Sequence, residues 1–209
     1  MRYAGYKLFL LFFMGAFLGD VIETVFCRIA DGVWMSRSSV VWGPFSIVWG
    51  IGAVLLTLLL ERYSASSNFF LFVAGSALGG AYEYGCSVFT ELVFGTVFWD
   101  YSHKPFQLHG RINLLFCLFW GVAVIVWFRF VYPYISAMLE WLPVSVGKTL
   151  AWGLAVFMFF DIIVSSMAIW RYDQRNHGIT AAKGWQMTID EHFDDARMKR
   201  IYPEALWVE

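Results

Sequence analysis

The sequence predicts an all-α integral membrane protein, a bundle of about five transmembrane helices followed by a short polar C-terminal tail. Of the 209 residues, 59% are hydrophobic and only 15% are charged, whereas soluble domains are nearer half apolar and a quarter charged. Five apolar runs are each long enough to cross a bilayer, which takes about 20 residues. The net charge of −1 comes without a basic stripe, so we expect no nucleic-acid partner.

The five predicted spans follow one another with short connections. They cover Leu8–Cys27, Val40–Leu60, Asn68–Phe94, Ile112–Val131 and Val144–Trp170. The first run resembles a signal peptide, but no small-x-small cleavage site follows it, so we expect an uncleaved span. We therefore divide the chain into a transmembrane domain, residues 1–170, and a tail, residues 171–209, which holds six Lys/Arg.

The distribution of basic residues predicts the orientation in the cell membrane. The side with the tail carries seven Lys/Arg near the spans, namely Arg28, Arg37, Lys104, Arg111, Arg171, Arg175 and Lys183. The other side carries five, namely Arg2, Lys7, Arg62, Arg129 and Lys148. Because cytoplasmic loops carry the excess of basic residues, we expect the tail in the cytoplasm.

Acidic residues inside the spans lie toward the side that carries the tail. At 1.5 Å per residue, Glu23 and Glu91 lie about 5 Å inside that interface. Glu83 and Asp161 lie about 14–17 Å deep, near the midplane of the bilayer. A charge there costs about 2.5–3.5 kcal/mol on insertion scales, so a retained carboxylate usually has a structural or functional use.

These depths predict a polar vestibule with Glu83 and Asp161 at its floor. Two alternatives remain open at this point. Glu23 or Glu91 could pair with Arg111 and hold helices together without chemistry. Asp161 could form only a helix–helix hydrogen bond.

Two pairs of glycines predict close contacts between helices. Gly15 and Gly19 lie four residues apart on the first span, and Gly75 and Gly79 are spaced in the same way on the third. Small residues at this spacing let two helix backbones approach each other. We therefore expect the first and third spans to pack together through these faces.

The loop 95–111, GTVFWDYSHKPFQLHGR, is too apolar for a solvated loop. We expect it to lie in the interface or to dip toward the vestibule, where protein must bury its backbone. Asp100, His109 and Arg111 on this loop are further candidate site residues. With His103 they offer mixed ligands, but no short metal-ligand pattern supports a metal, and an anion beside Arg111 is the alternative. We predict no metal and no cofactor.

Four stretches of the chain resemble the CmpB / transmembrane protein 229 family, whose bacterial members carry an ABC-transporter type IV label. The stretches are GDVIETVFC, WGPFSIVWGIGAVLL, AYEYGCSVFTELVFG and FWDYSHKPFQLHGRINLLFCLFWG, and the resemblance covers residues 8–131. The family pattern falls on Glu23, Glu83, Glu91, Trp99, Asp100, His109, Gly110 and Arg111. The resemblance implies a multi-pass membrane protein, and the transporter label rests on analogy.

Three functions follow as hypotheses. The first is a transporter permease or permease-like subunit, able to form a homo-oligomer. It would need a separate ATPase subunit or an ion gradient, because Gly147-Lys148 lacks the glycine five residues earlier that a phosphate-binding loop requires. The second is a membrane-embedded enzyme acting on lipid headgroups, with Asp100 or His109 as acid or base and Arg111 holding a phosphate. The third is a non-catalytic assembly or regulatory protein whose tail binds a partner. We rank the permease first and assign no catalytic residue.

Overall fold

The computed structural model describes residues 4–30 and 32–207. Arg2, which was counted in predicting the orientation, lies outside the described residues, as do the last two residues of the tail. The helices are α1 Gly5–Ala30, α2 Ile47–Leu60, α3 Asn68–Phe94, α4 Leu114–Val126, α5 Tyr132–Trp141, α6 Val144–Asn176, α7 Gly184–His192 and α8 Asp195–Ile201. The strands are β1 Thr96–Val97, β2 Gln107–Leu108, β3 Ile112–Asn113 and β4 Leu206–Trp207.

Among the described helices, three are long and apolar enough to cross a membrane: α1, the continuous helix Leu114–Trp141, and α6. This confirms the predicted helical membrane class, whereas the predicted number of five spans is not confirmed. With 14 residues, α2 is about 21 Å long, shorter than a hydrocarbon core of about 30 Å. With 27 residues, α3 is long enough, but its glycines, tyrosines and two glutamates leave it less apolar than a membrane span requires by composition.

The second predicted span is helical only from Ile47 onward. The segment before it is non-helical, and α6 satisfies part of its backbone. The Val41 N–H donates to Ser165 Oγ at 2.9 Å, and the Trp42 N–H donates to Asp161 Oδ1 at 3.2 Å. Irregular backbone at membrane depth is tolerated when protein buries it in this way.

The later helices extend beyond their predicted ends. The fourth predicted span continues to Trp141 through a π-helical turn at Trp127–Val131. Pro133 follows this turn and cannot donate a backbone hydrogen bond, which is a common cause of such irregular turns. α6 runs six residues past Trp170, to Asn176.

The glycine pairs lie in tight helix contacts, but with other partners than predicted. Gly15 and Gly19 of α1 face α2, where an added Cβ atom would collide with α2 side chains. Gly75 and Gly79 of α3 face α4 in the same way. The expectation that the first and third spans pack through these faces is therefore wrong. Each glycine face instead receives side chains, among them Trp49 and Trp120, from the helix that follows next in the chain.

The C-terminal segment, the part of the chain that follows α6, folds back on the helices. β4 pairs antiparallel with β1, joining Val97 to Leu206 across the pair. Met198 and Tyr202 of this segment are buried against α6. Arg171 is fully buried and donates two hydrogen bonds to Asp190. Hydrogen bonds from Arg171 hold the pKa of Asp190 below its usual range. Composition alone shows that this segment is polar, not that it packs.

Candidate functional site

Two carboxylates and two tryptophans from four helices form a polar cluster, which we call the central cluster. Trp49 Nε1 of α2 donates to Glu23 of α1 at 2.7 Å. Trp120 Nε1 of α4 donates to Glu83 of α3 at 2.9 Å. The two indole rings stack with their centroids 4.9 Å apart. The cluster thus links one carboxylate to the other through an indole pair.

Glu83 is the most enclosed carboxylate of this cluster, with 7% of its surface exposed. Its second oxygen accepts a hydrogen bond from the Tyr101 hydroxyl at 2.9 Å. Within residues 4–30 and 32–207, no Lys, Arg or His forms an ion pair with Glu83. Its two hydrogen-bond donors, the Tyr101 hydroxyl and the Trp120 indole, are both neutral. An indole N–H can only donate, whereas a tyrosine hydroxyl can also accept. The oxygen that faces Tyr101 can therefore carry a proton without losing its partner.

Glu23 has a different environment, because it meets a cation. Arg37, on the loop after α1, contacts Glu23 at 2.7 Å and Glu204 of the C-terminal segment at 2.6 Å. Although burial disfavours the charged guanidinium, the two carboxylates raise the pKa of Arg37. The alternative that Glu23 pairs with Arg111 is therefore wrong. Arg37 instead ties the C-terminal segment to the central cluster.

Loop 95–111 folds over α3 and brings Tyr101 to Glu83. β2 and β3 form a short antiparallel hairpin, and the Tyr101 N–H donates to the Gly110 carbonyl at 2.7 Å. The Tyr101 ring stacks on Phe116 of α4, with centroids 4.7 Å apart. Burial raises the pKa of Tyr101, so its hydroxyl stays protonated. The loop therefore supplies a neutral donor to a buried carboxylate.

A second polar site lies between this loop and α3. It is a cavity of about 110 Å³, which we call the interfacial cavity, and its polar lining residues are Ser87, Glu91, Trp99, Asp100, His109 and Arg111. Arg111 forms an ion pair with Glu91 and donates to Ser87 Oγ at 3.1 Å. The pairing of Glu91 with Arg111, one of the alternatives weighed from the sequence, is therefore present.

Local hydrogen bonds hold the remaining loop candidates in place. Asp100 accepts from the backbone N–H and the hydroxyl of Ser102, at 2.8 and 2.7 Å. The hydrogen bond from that N–H, together with the hydroxyl, lowers the pKa of Asp100. His109 has a φ of 54°, uncommon for a residue other than glycine, and its Nδ1 lies 3.0 Å from the Tyr84 hydroxyl. Throughout the described part of the chain, no three His, Cys, Asp or Glu side chains group as metal ligands.

Asp161 is fully buried but lies apart from the central cluster. One oxygen accepts from the Trp42 N–H and from Ser165 Oγ, both at 3.2 Å. The other oxygen, Oδ2, has no hydrogen-bond partner among the described residues. Asp161 therefore joins α6 to the non-helical segment that precedes α2, as a carboxyl with a packing role would.

Neither the interfacial cavity nor the larger apolar groove between α3 and α4 includes Asp161 or Glu83. The common vestibule remains a prediction.

Sequence reasoning did not assign Trp49, Trp120, Tyr101 or Arg37 to the site. The two tryptophans carried a usable signal, because they lie deep within their spans and tryptophan usually lies at membrane interfaces. No comparable signal marked Arg37, since its partners are 14 and 167 residues away in the chain.

Comparisons with known proteins support a membrane transport context. No curated protein and no solved structure gives a significant match to the chain. Residues 10–166 match the family described as "Putative ABC-transporter type IV". This match includes most of α1, all of α2 to α5 and most of α6. It therefore continues past residue 131, where the resemblance seen in the sequence ends, and stops before the C-terminal segment. Because it covers well over half of the sequence, the chain belongs to this ABC-transporter type IV, or CmpB, family.

Proposed function

We propose that this chain is the permease-like subunit of a membrane transporter, with a separate ATPase subunit or an ion gradient supplying the energy. The observation that carries the proposal is Glu83, a buried carboxylate whose hydrogen-bond donors among the described residues are both neutral. Because a charge at membrane depth is costly, an ionisable group that is retained there is a candidate functional residue. The family and the membrane-length helices support the transport context. In this proposal α2 and α3 complete five spans of a cell-membrane protein, and the C-terminus is cytoplasmic.

In the proposed mechanism, Tyr101 closes access to Glu83 from the side of loop 95–111. The phenol donates to the carboxylate and stacks on Phe116, so it covers the carboxylate on the loop side. Loop movement that withdraws Tyr101 would free one carboxylate oxygen for a proton or for a cationic group of the substrate. Such a gating step is common in enzymes and transporters that open and close around a site.

Reconstitution tests this proposal. Glu83→Gln keeps the side-chain shape but removes the charge, so we expect it to lower substrate binding and flux in proteoliposomes at least tenfold, equivalent to about 1.4 kcal/mol. Glu191→Gln is the matched control, because Glu191 is an exposed carboxylate on α7. Unchanged binding and flux in Glu83→Gln would refute the role of Glu83.

Purification in lipid discs identifies the energy source and the ligand. An ATPase that co-purifies from native membranes would support the proposal that the chain is a transporter subunit. A small molecule retained by the wild type but absent from Glu83→Gln would identify the class of substrate. If the protein comes out alone and empty, the transport proposal loses its main support.

The interfacial cavity favours a second candidate function, an enzyme acting on lipid headgroups. His109, Asp100 and Arg111 all line this cavity, so an acid or base and a phosphate-binding group lie together. Glu91, which also lines it, is predicted to lie about 5 Å inside the membrane interface, close to lipid headgroups. Membranes from Asp100→Ala, His109→Ala and Arg111→Ala strains are expected to show an altered lipid profile if the chain is such an enzyme. A wild-type profile in all three would exclude this candidate.

A further inference from the structure

An apolar groove runs between α3 and α4 and opens at the surface of the protein. It has a volume of about 460 Å³, and its lining includes Val73, Ala77, Gly80, Ala81, Cys117 and Leu118. Small residues on α3 create the groove, because alanine and glycine leave space that a larger side chain would fill. Val73 and Leu118 are 49% and 37% exposed, which shows that the groove opens outward.

The groove leads toward the interfacial cavity described above. Ile112 lines the groove, and Arg111, its neighbour in the chain, lines the cavity. On α3, Ser76 of the groove and Glu91 of the cavity lie on one helical face, about 22 Å apart along the axis. Tyr84 lies between them, with its hydroxyl on His109. An apolar slot and a polar pocket thus follow one another from the membrane interior to the interface.

We propose that α3 and α4 hold one aminophospholipid molecule, with its phosphate and primary ammonium group in the interfacial cavity and one acyl chain in the groove. This site is distinct from the central cluster at Glu83. It holds the lipid whether the lipid is cargo or a permanently bound component, so the inference does not depend on the proposed transport activity.

The charges of the cavity select this headgroup over others. Arg111 supplies a cation, and two of its five N–H donors are used by Ser87 and Glu91. The other donors are available to a phosphate oxygen. Glu91 and Asp100 supply carboxylates that can accept hydrogen bonds from a primary ammonium group. A purely anionic headgroup would meet both carboxylates, and a quaternary ammonium has no N–H to donate.

The lipid test uses the purified full-length protein in detergent, titrated with three lipids that share their acyl chains. These are phosphatidylethanolamine, phosphatidylcholine and phosphatidylglycerol, with binding read by native mass spectrometry. We expect phosphatidylethanolamine to bind about tenfold more tightly than the other two, the scale of one charge-assisted hydrogen bond. Equal binding of all three, or tightest binding of phosphatidylglycerol, would overturn the proposal.

Two variants separate the headgroup from the chain. Asp100→Asn keeps an oxygen for the Ser102 N–H but removes a charge, so it is expected to reduce the preference for phosphatidylethanolamine. Ala77→Phe fills the groove and is expected to weaken the binding of all three lipids. Val156→Phe places the same ring on the exposed face of α6 and serves as the control. If Ala77→Phe binds lipid like this control, the acyl chain does not occupy the groove and the proposal fails. Because Glu83 is unchanged in every variant, failure here leaves the transport proposal standing.

Discussion

Two substitutions of Glu83 separate its charge from its hydrogen bonds. In Glu83→Gln, the amide oxygen can accept from Trp120 Nε1, and the amide N–H₂ can donate to the Tyr101 oxygen if that hydroxyl rotates. Both partners then remain satisfied, because a tyrosine hydroxyl can accept as well as donate. In Glu83→Leu, neither partner has an acceptor, and the indole N–H of Trp120 is left in a largely buried position.

The magnitudes follow from counting these two hydrogen bonds. Hydrogen bonds between membrane helices average about 0.6 kcal/mol in double-mutant cycles and reach about 1.7 kcal/mol. Losing the bonds from Trp120 and Tyr101, at 2.9 Å each, therefore costs about 1–3 kcal/mol. We expect Glu83→Leu to lower the free energy of unfolding by this amount. Glu83→Gln should change it by less than about 0.5 kcal/mol, because it keeps both bonds.

Unfolding in lipid discs, followed by the summed fluorescence of the 11 tryptophans, measures the free energy of unfolding of both variants. Proteoliposome flux measured in parallel shows whether the charge has a use beyond stability. If Glu83→Gln destabilises the protein as much as Glu83→Leu, the ionised carboxylate is itself required for packing. The argument that its charge is kept for function would then be refuted.

Three further perturbations test the packing of the central cluster and the ion pairs of the C-terminal segment. Gly79→Ala places a Cβ atom against the Trp120 ring and is expected to cost about 1–3 kcal/mol in thermal unfolding, whereas Gly85→Ala, which meets nothing within 4 Å, should not destabilise. Glu204→Gln removes one of the two carboxylates that bind Arg37 and should speed amide hydrogen exchange in β4. Unchanged exchange would show that the ion pair between Arg37 and Glu204 does not hold this segment in place. Folding lowers the pKa of Asp190, so the stability that this carboxylate contributes is complete above its unfolded pKa of about 3.9 and is lost as the pH falls below that value. Acid titration should therefore loosen α7 in the wild type but have little effect on Asp190→Asn, and identical titrations of the two proteins would contradict this.

Depth and periodicity explain what could be predicted from the sequence. Hydrophobic length identified a helical membrane protein, and the bounds of α3 agree with the predicted span Asn68–Phe94. The predicted depth of Glu83 indicated that this carboxylate has a structural or functional use, and the structure buries it. The ion pair between Glu91 and Arg111 followed as an alternative, because both residues were expected near one interface. Each of these inferences uses only local spacing along one helix or a shared membrane depth.

Partner choice was beyond the same reasoning, because it depends on how helices rotate and on contacts between distant parts of the chain. The faces with Gly15 and Gly75 were recognised as packing surfaces, but a small residue does not specify which bulky side chain fills the space beside it. A membrane depth was predicted for Asp161, but depth does not fix the direction in which a side chain points. The late start of α2 at Ile47 also went unseen, since backbone buried by α6 can be as apolar in sequence as a helix.

The arginines on the loops show how the protein distributes charge among the carboxylates on this side. Arg37 pairs with Glu23, and Arg111 pairs with Glu91, so each of these two carboxylates receives a cation from outside the helices. Glu83 is predicted to lie deeper than both, and among the described residues it receives hydrogen bonds only from an indole and a phenol. A carboxylate that stays ionised solely to join helices would be better compensated by a third cation, because an unpaired charge in this environment is costly. The absence of such a cation from the described contacts of Glu83 is therefore the strongest reason to look for a change of charge there during function.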